Sequence, residues 1–174
     1  TKSYANERKW ITKSFLTAKG NWDIFIPFIE LGLKILKKSN YLSYIIPNKI
    51  LSVKYGTTLR DYINENFCIE EIFDLSKNNV FTVDVYPIIL FLQKNTQKNT
   101  LKITTQNDND IKTKDIEFKI ENNWSLYLDD NYSLYSKIIH NFESIKSSNK
   151  FNVYSAASVA EAYEIKKFIK DIKN

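Results

Sequence analysis

Methionine is absent from all 174 residues, and glycine, proline, cysteine and histidine come close to it with 3, 3, 1 and 1 copies. A single cysteine, Cys68, excludes an internal disulfide and any cysteine-cluster zinc site, and it suits a reducing cytosol, so a cytoplasmic location is expected. A single histidine, His140, excludes a histidine-based triad and a histidine-rich metal site. Scarce glycine and proline, set beside 14% aromatic residues, argue for a packed globular chain rather than a disordered one. Apolar runs such as residues 41–47 are far too short to span a membrane, and no charged-then-apolar signal opens the chain. The missing methionine fits excision from a longer chain, and excision is the expectation, although removal of an initiator ahead of Thr1 leaves the same sequence.

Basic residues number 25 and acidic residues 20, for a formal charge of +5. That excess suits phosphate neutralisation on a nucleic acid. The Lys, Asn and Ile codons of an AT-rich genome produce the same excess, so charge alone leaves both explanations open.

Apolar spacing divides the chain into elements. Ile24, Phe25, Phe28, Ile29, Gly32, Ile35 and Leu36 recur at helical spacing, with Asp23 as N-cap and Pro27 confined to the first turn. Residues 41–46 form a nearly continuous apolar run stopped by Pro47, the pattern of a strand buried on both faces. Tyr55, Leu59, Ile63 and Phe67 make one stripe of a second helix, and residues 68–75 a second strand. Strand, helix, strand implies a right-handed parallel crossover. The next connection, residues 76–85, is too short for a crossover, so the following run, YPIILFLQ, is predicted to pair antiparallel, with Pro87 tolerated near its start. Beyond Lys94 the polar stretches NTQKNT and TTQNDNDIKTKD read as turn-rich; LKITT, which they enclose, and DIEFKI, where Ile116, Phe118 and Ile120 alternate with charged residues, read as peripheral half-exposed strands. Leu134, Ile138, Phe142 and Ile145 mark a helix over residues 131–148, and Ser158 with Glu161 a capping box for a final helix.

Four blocks of this chain, GNWDIFIPFIELGLKILKK, YLSYIIPNKIL, KYGTTLRDYI and NNVFTVDVYPIILFLQK, resemble in order and spacing the second half of the catalytic domain of amino-group DNA methyltransferases. The likeness is to N6-adenine enzymes of the kind fused in restriction-modification proteins (type IIG-like), and it is good over residues 15–95. It implies an α/β fold: half of a Rossmann-like mixed sheet, parallel strands plus an antiparallel hairpin, followed by peripheral strands and helices. It divides the chain into a basic lead-in loop or helix (1–20), a partial catalytic domain (21–125), and a helical linker with the start of a target-recognition region (126–174). The parent enzyme would methylate adenine N6 from S-adenosylmethionine on double-stranded DNA.

The resemblance also assigns residues. Phe28 matches the aromatic that packs on the adenine ring of the cofactor, where an aromatic face suits a purine, although a core role is equally open. Pro47 and Asn48 match the end of the fifth core strand, and ligands of open α/β sheets sit outside strand carboxyl ends. Phe81, an aromatic in a polar loop, matches the residue that stacks on a flipped adenine, with Tyr86 as the alternative clamp. Arg8, Lys9, Lys13 and Lys19, interleaved with Trp10 and Phe15, suit the segment that lies on the DNA backbone, and a solvated charged face has the same appearance.

Two signatures are missing from the sequence. No glycine pair of the GxG type stands near an acidic residue to hold the cofactor's ribose, and no Asn-Pro-Pro-aromatic or Asp-Pro-Pro-aromatic tetrad accepts the adenine amino protons. No catalytic residue is therefore expected in this chain, the amino-terminal half of the domain is the expected partner, and activity or appreciable S-adenosylmethionine binding by the chain alone is not. Two other readings stay open: a non-catalytic DNA-binding or specificity module, and a structural interaction domain without nucleic acid.

Overall fold

Three apolar runs rich in β-branched and aromatic residues become strands: β1 (Tyr41–Pro47), β2 (Phe67–Asp74) and β3 (Pro87–Lys94). A computed structural model of the chain describes residues 2–78, 80–82, 85–94, 98–121 and 123–143, with side chains from residue 5 onward. Two further strands, β4 (Thr100–Asn107) and β5 (Asp110–Glu117), complete one sheet in the order β1-β3-β2-β4-β5.

The sheet is mixed, as expected, with one correction. β3 runs antiparallel to both β2 and β1, so β1 and β2 point the same way without being neighbours. The short connection turns β3 back beside β2, and the free edge of β3 then accepts β1. β2 pairs in parallel with β4 and β4 antiparallel with β5. Residues 104–115 are thus strand, turn and strand rather than a turn-rich linker. Their polar composition is tolerated because β5 is an edge strand, exposed along most of its length, and its hairpin partner β4 buries only Leu101, Ile103 and Thr104.

Helix α1 (Lys2–Ser14) fills the lead-in segment, α2 (Phe25–Ile35) and α3 (Thr57–Asn66) precede and follow β1, and α4 (Tyr132–Asn141) comes last. Helix α2 starts one residue later than an Asp23 cap would place it, with Ile24 at the N-cap position, and the Asp23 carboxylate accepts the Ile24 N–H instead at 2.6 Å. Its buried face is Phe25, Ile26, Ile29 and Leu33, while Ile24, Phe28 and Ile35 of the expected stripe are exposed. Tyr55 and Phe67 fall outside α3, on a 3-10 turn and at the start of β2; its buried residues are Leu59, Arg60 and Ile63.

The core lies on one side of the sheet. Ile46 of β1, Ile88, Leu90 and Leu92 of β3, Ile69 and Ile72 of β2, and Leu101 and Ile103 of β4 pack with α2, α3, Trp124 and Tyr127. On the other side, Tyr41, Ser43 and Ile45 of β1 are exposed, so this strand is not buried on both faces as its apolar run suggested. Two compact units divide at Ser136 and Lys137, within α4. Tyr132 and Ser136 are the buried residues of that helix; Leu134, Ile138 and Phe142 of the expected stripe are exposed. Ile145 and the capping box at Ser158 and Glu161 lie outside the described residues.

Candidate functional site

The carboxyl ends of β1 and β2, the amino end of β3 and the turn after β4 share one edge of the sheet. Register fixes this: Pro47 faces Pro87, Asp74 faces Ile88, and Asp74 also faces Thr105. The Asn48 N–H donates to the Tyr86 carbonyl at 2.8 Å, which joins the residue after β1 to the residue before β3, and the Leu75 N–H donates to the Pro87 carbonyl at 3.1 Å. Three of the residues singled out in the sequence, Pro47, Asn48 and Tyr86, are thereby brought together. Phe81 sits on the connection entering the same edge. Its side chain is 46% exposed and that of Tyr86 61%, with Val80 and Val85 exposed beside them in sequence. Apolar side chains held in water on an ordered edge mark a surface made to meet something.

Phe28 lies on α2 and is 56% exposed, so it is not part of the core. Its ring tilts against that of Tyr44 in β1, centroids 5.3 Å apart. Gly32, one turn further along the helix, leaves room for the Tyr44 ring: a Cβ there would run into the Tyr44 hydroxyl.

Two 3-10 turns, Asn48–Leu51 and Lys54–Gly56, carry the chain from β1 to α3. Arg60 holds them. Its buried guanidinium donates to the Ile50 carbonyl at 2.8 Å, the Val53 carbonyl at 3.0 Å and the Thr57 hydroxyl at 3.1 Å. Burial lowers the guanidinium pKa, partly offset by the Asp61 charge. The Tyr55 ring rests on Phe25 at 6.4 Å, and burial together with the Asp23 charge raises its hydroxyl pKa. Tyr55, Asp23, Asn21, Trp22, Arg8 and Glu7 line a cleft of about 650 Å³ between α1 and the start of α2.

The basic residues of the lead-in divide into two kinds. Arg8 is engaged within the chain: it donates to the Trp22 carbonyl at 2.7 Å and lies 4.0 Å from the Trp22 ring centroid. The buried Trp22 indole N–H in turn donates to the Thr12 hydroxyl at 2.9 Å, which ties α1 to the loop before α2. Lys9, Lys13 and Lys19 are exposed, as is Trp10. Next to this loop, the fully buried Glu30 accepts from the Thr17 N–H and hydroxyl, both at 2.7 Å, and from the Leu16 N–H at 3.0 Å, and pairs with Lys34.

Sequence reasoning missed Glu30, Arg60 and Asn78 as organisers of this region. Glu30 had a signal, a lone acid inside the apolar run FIPFIELGL. Arg60 had none, since a basic residue beside a helical stripe is ordinary. Among the described residues no group of three or more His, Cys, Asp and Glu is placed to hold a metal ion, and no helix is long and apolar enough to cross a membrane.

Residues 1–81 match the model of the Eco57I restriction-modification methylase family. The type II restriction enzyme and methyltransferase RM.Eco57I of Escherichia coli is 31% identical over 88 residues, which cover 50% of this chain and 9% of that protein. The type II methyltransferase M.BstVI of Geobacillus stearothermophilus is 30% identical over 93 residues, 52% of this chain and 17% of that one. The chain spans less than a fifth of the length of either relative. Among solved structures, a Listeria monocytogenes protein described as a class I S-adenosylmethionine-dependent methyltransferase superposes with a TM-score of 0.50 at 21% identity, over 57% of this chain and 32% of that one. The type IIG restriction endonuclease BpuSI gives 0.52 at 14% identity, over 72% and 18%. These likenesses show a methyltransferase-type α/β fold, as the sequence blocks implied.

Proposed function

Because residues 1–81 match the restriction-modification methylase family, we propose that the chain is the carboxyl-terminal half of the catalytic domain of a site-specific DNA methyltransferase that acts on adenine N6. The observation that carries this reading is the gathering of Asn48, Tyr86 and the Phe81 loop at the carboxyl edge of the sheet, where open α/β folds bind their ligands. Phe81, with Tyr86 as the alternative, stacks on the target adenine once it has left the duplex. The exposed Phe28 ring and the strand end at Pro47 and Asn48 fit the purine half of S-adenosylmethionine, which supplies the methyl group when bound. Nothing in the sequence fits its ribose, which the GxG-bearing half of the domain holds, and the groups that accept the adenine amino protons belong to that same half. Lys9, Lys13 and Lys19 lie along the DNA backbone, while Arg8 orders the helix that presents them. In this scheme residues 1–20 are the lead-in, 21–125 the partial catalytic domain, and 126–174 the linker and the beginning of target recognition.

The test is product analysis. A protein carrying this segment together with the glycine-rich and Asn-Pro-Pro-aromatic motifs is expected to yield N6-methyladenine in duplex DNA, read by mass spectrometry; methylcytosine as the sole product overturns the assignment. The chain alone is expected to transfer no methyl group and to show no micromolar calorimetric affinity for S-adenosylmethionine, which is roughly 8 kcal/mol of binding. A second reading, a DNA-binding module without catalysis, is favoured by the missing tetrad, and it predicts no methylated base in either experiment.

A further inference from the structure

Asn78 occupies the loop that carries Phe81, and its side-chain amide is spent on another element. Its Nδ2 donates to the Gln106 carbonyl at 3.1 Å and its Oδ1 accepts the Asp108 N–H at 2.8 Å, so one amide spans both sides of Asn107 at the turn between β4 and β5. A turn asparagine ordinarily satisfies its own neighbouring backbone. The receiving turn is built for the contact. Asp108 adopts a positive φ of 51°, and the Gln106 side chain donates to the Asp108 carbonyl at 2.9 Å, closing the turn next to the two peptides that Asn78 grips. On the loop side, the Asn78 N–H donates to the Leu75 carbonyl at 2.9 Å, the Val80 N–H to the Asn78 carbonyl at 2.9 Å, and the Ser76 N–H to the Asp74 carboxylate at 2.9 Å. The Asn78 backbone is thus tied to Leu75 on one side and Val80 on the other, and Phe81 follows Val80 directly.

We infer that Asn78 is a positioning residue for Phe81, and that the β4–β5 hairpin serves as the brace from which the base-stacking loop is held. This rests on the reading of Phe81 given above. It also accounts for β5, a strand that is mostly exposed and adds little to the core, since β5 fixes the turn that Asn78 needs.

The experiment uses the full chain and a low-salt duplex carrying 2-aminopurine opposite an abasic site, so that the base leaves the stack without breaking a pair and its stacking on an aromatic ring is read as quenching. Phe81→Ala is expected to abolish the quench. Asn78→Ala is expected to lower the ratio of stacked to unstacked complex about tenfold, the scale of losing one well-placed stack, read as a smaller quench at saturating protein, with DNA affinity by anisotropy unchanged. Asn78→Asp keeps the acceptor for the Asp108 N–H and loses the donor to Gln106; it is expected to fall between wild type and Asn78→Ala. Asp108→Gly, which keeps the N–H and suits the positive φ, is expected to quench normally. No effect of Phe81→Ala overturns the reading of Phe81 and this inference with it. An effect of Phe81→Ala without any effect of Asn78→Ala overturns the role of Asn78 alone. Should Asn78→Ala fail to fold, wild-type quenching by Asn78→Asp has the same force.

Discussion

Glu30 shows how one side chain can order a segment. The carboxylate is fully buried within an apolar helix face, a costly position unless every lone pair is used. Burial pushes its pKa up, but hydrogen bonds from Lys34, from the Thr17 hydroxyl and N–H and from the Leu16 N–H outweigh it, and the net shift is downward. Lys34 is the largest of the lowering causes, followed by the Thr17 hydroxyl and the two backbone donors, although the half-exposed ammonium is screened by solvent and its share in stability is correspondingly small. A depressed folded pKa gives stability that is fully present above the ordinary carboxylate value of about 4.3 and is lost as pH falls through the lower folded value. Glu30→Gln is therefore expected to cost about 2–3 kcal/mol at neutral pH, with the difference from wild type shrinking below about pH 4. Urea unfolding between neutral and acid pH reads both; a cost independent of pH would mean the charge is irrelevant. Phe28 is the contrasting case. With its ring over half exposed, Phe28→Ala is expected to lose only the contact with Tyr44, about 0.5–1.5 kcal/mol, and a core-sized loss of about 3–5 kcal/mol would contradict the placement.

Among the elements, those with one dominant pattern were legible in the sequence. β1, β2 and β3 follow from apolar runs ended by Pro47, Asp74 and Lys94, and the short 75–86 connection made β2 and β3 antiparallel. The phase of α2 was not legible, because FIPFIELGLKI is apolar on nearly every side and periodicity cannot choose a face; the choice was made by β1, through Tyr44 against Gly32. β4 and β5 were legible only in part: LKITT and the alternation at 116–120 read as peripheral strands, whereas the polar residues 106–107 and 110–114 that complete them carry no apolar pattern, which an exposed edge strand such as β5 does not need. At the site, the candidate ligand residues came from the resemblance alone, whereas Arg60 and Asn78 act on backbone carbonyls and amides outside their own elements, which leaves no local pattern. Arg60 gives the prediction at this scale. Arg60→Leu would leave the Ile50 and Val53 carbonyls without their donors, at about 2–4 kcal/mol, and Lys should not rescue it because one ammonium cannot reproduce the guanidinium fork. Thermal unfolding of both variants checks this; full stability of Arg60→Lys would show that charge, not the fork, holds the 3-10 turns.

For the whole molecule the question is whether the net charge of +5 is a binding surface or only composition. A general excess spread over the surface makes every lysine equivalent, whereas a phosphate-contacting face makes a few of them count. Lys9, Lys13 and Lys19 are exposed and bracket Trp10 and Phe15, while Arg8 is already engaged with Trp22. If these three lysines neutralise phosphates, the slope of log affinity against log salt should be about −2.7, so raising salt fourfold should weaken duplex binding roughly 40-fold. Each Lys→Ala change among the three should reduce the slope by about 0.9. Substituting a lysine remote from this segment, such as Lys112 on the exposed edge strand β5, should leave it unchanged. Fluorescence anisotropy on unrelated duplexes at several salt concentrations reads all of these. Equal effects at Lys112 and Lys13 would assign the charge to composition, and binding confined to one duplex sequence would require a base-reading surface that electrostatics alone does not provide.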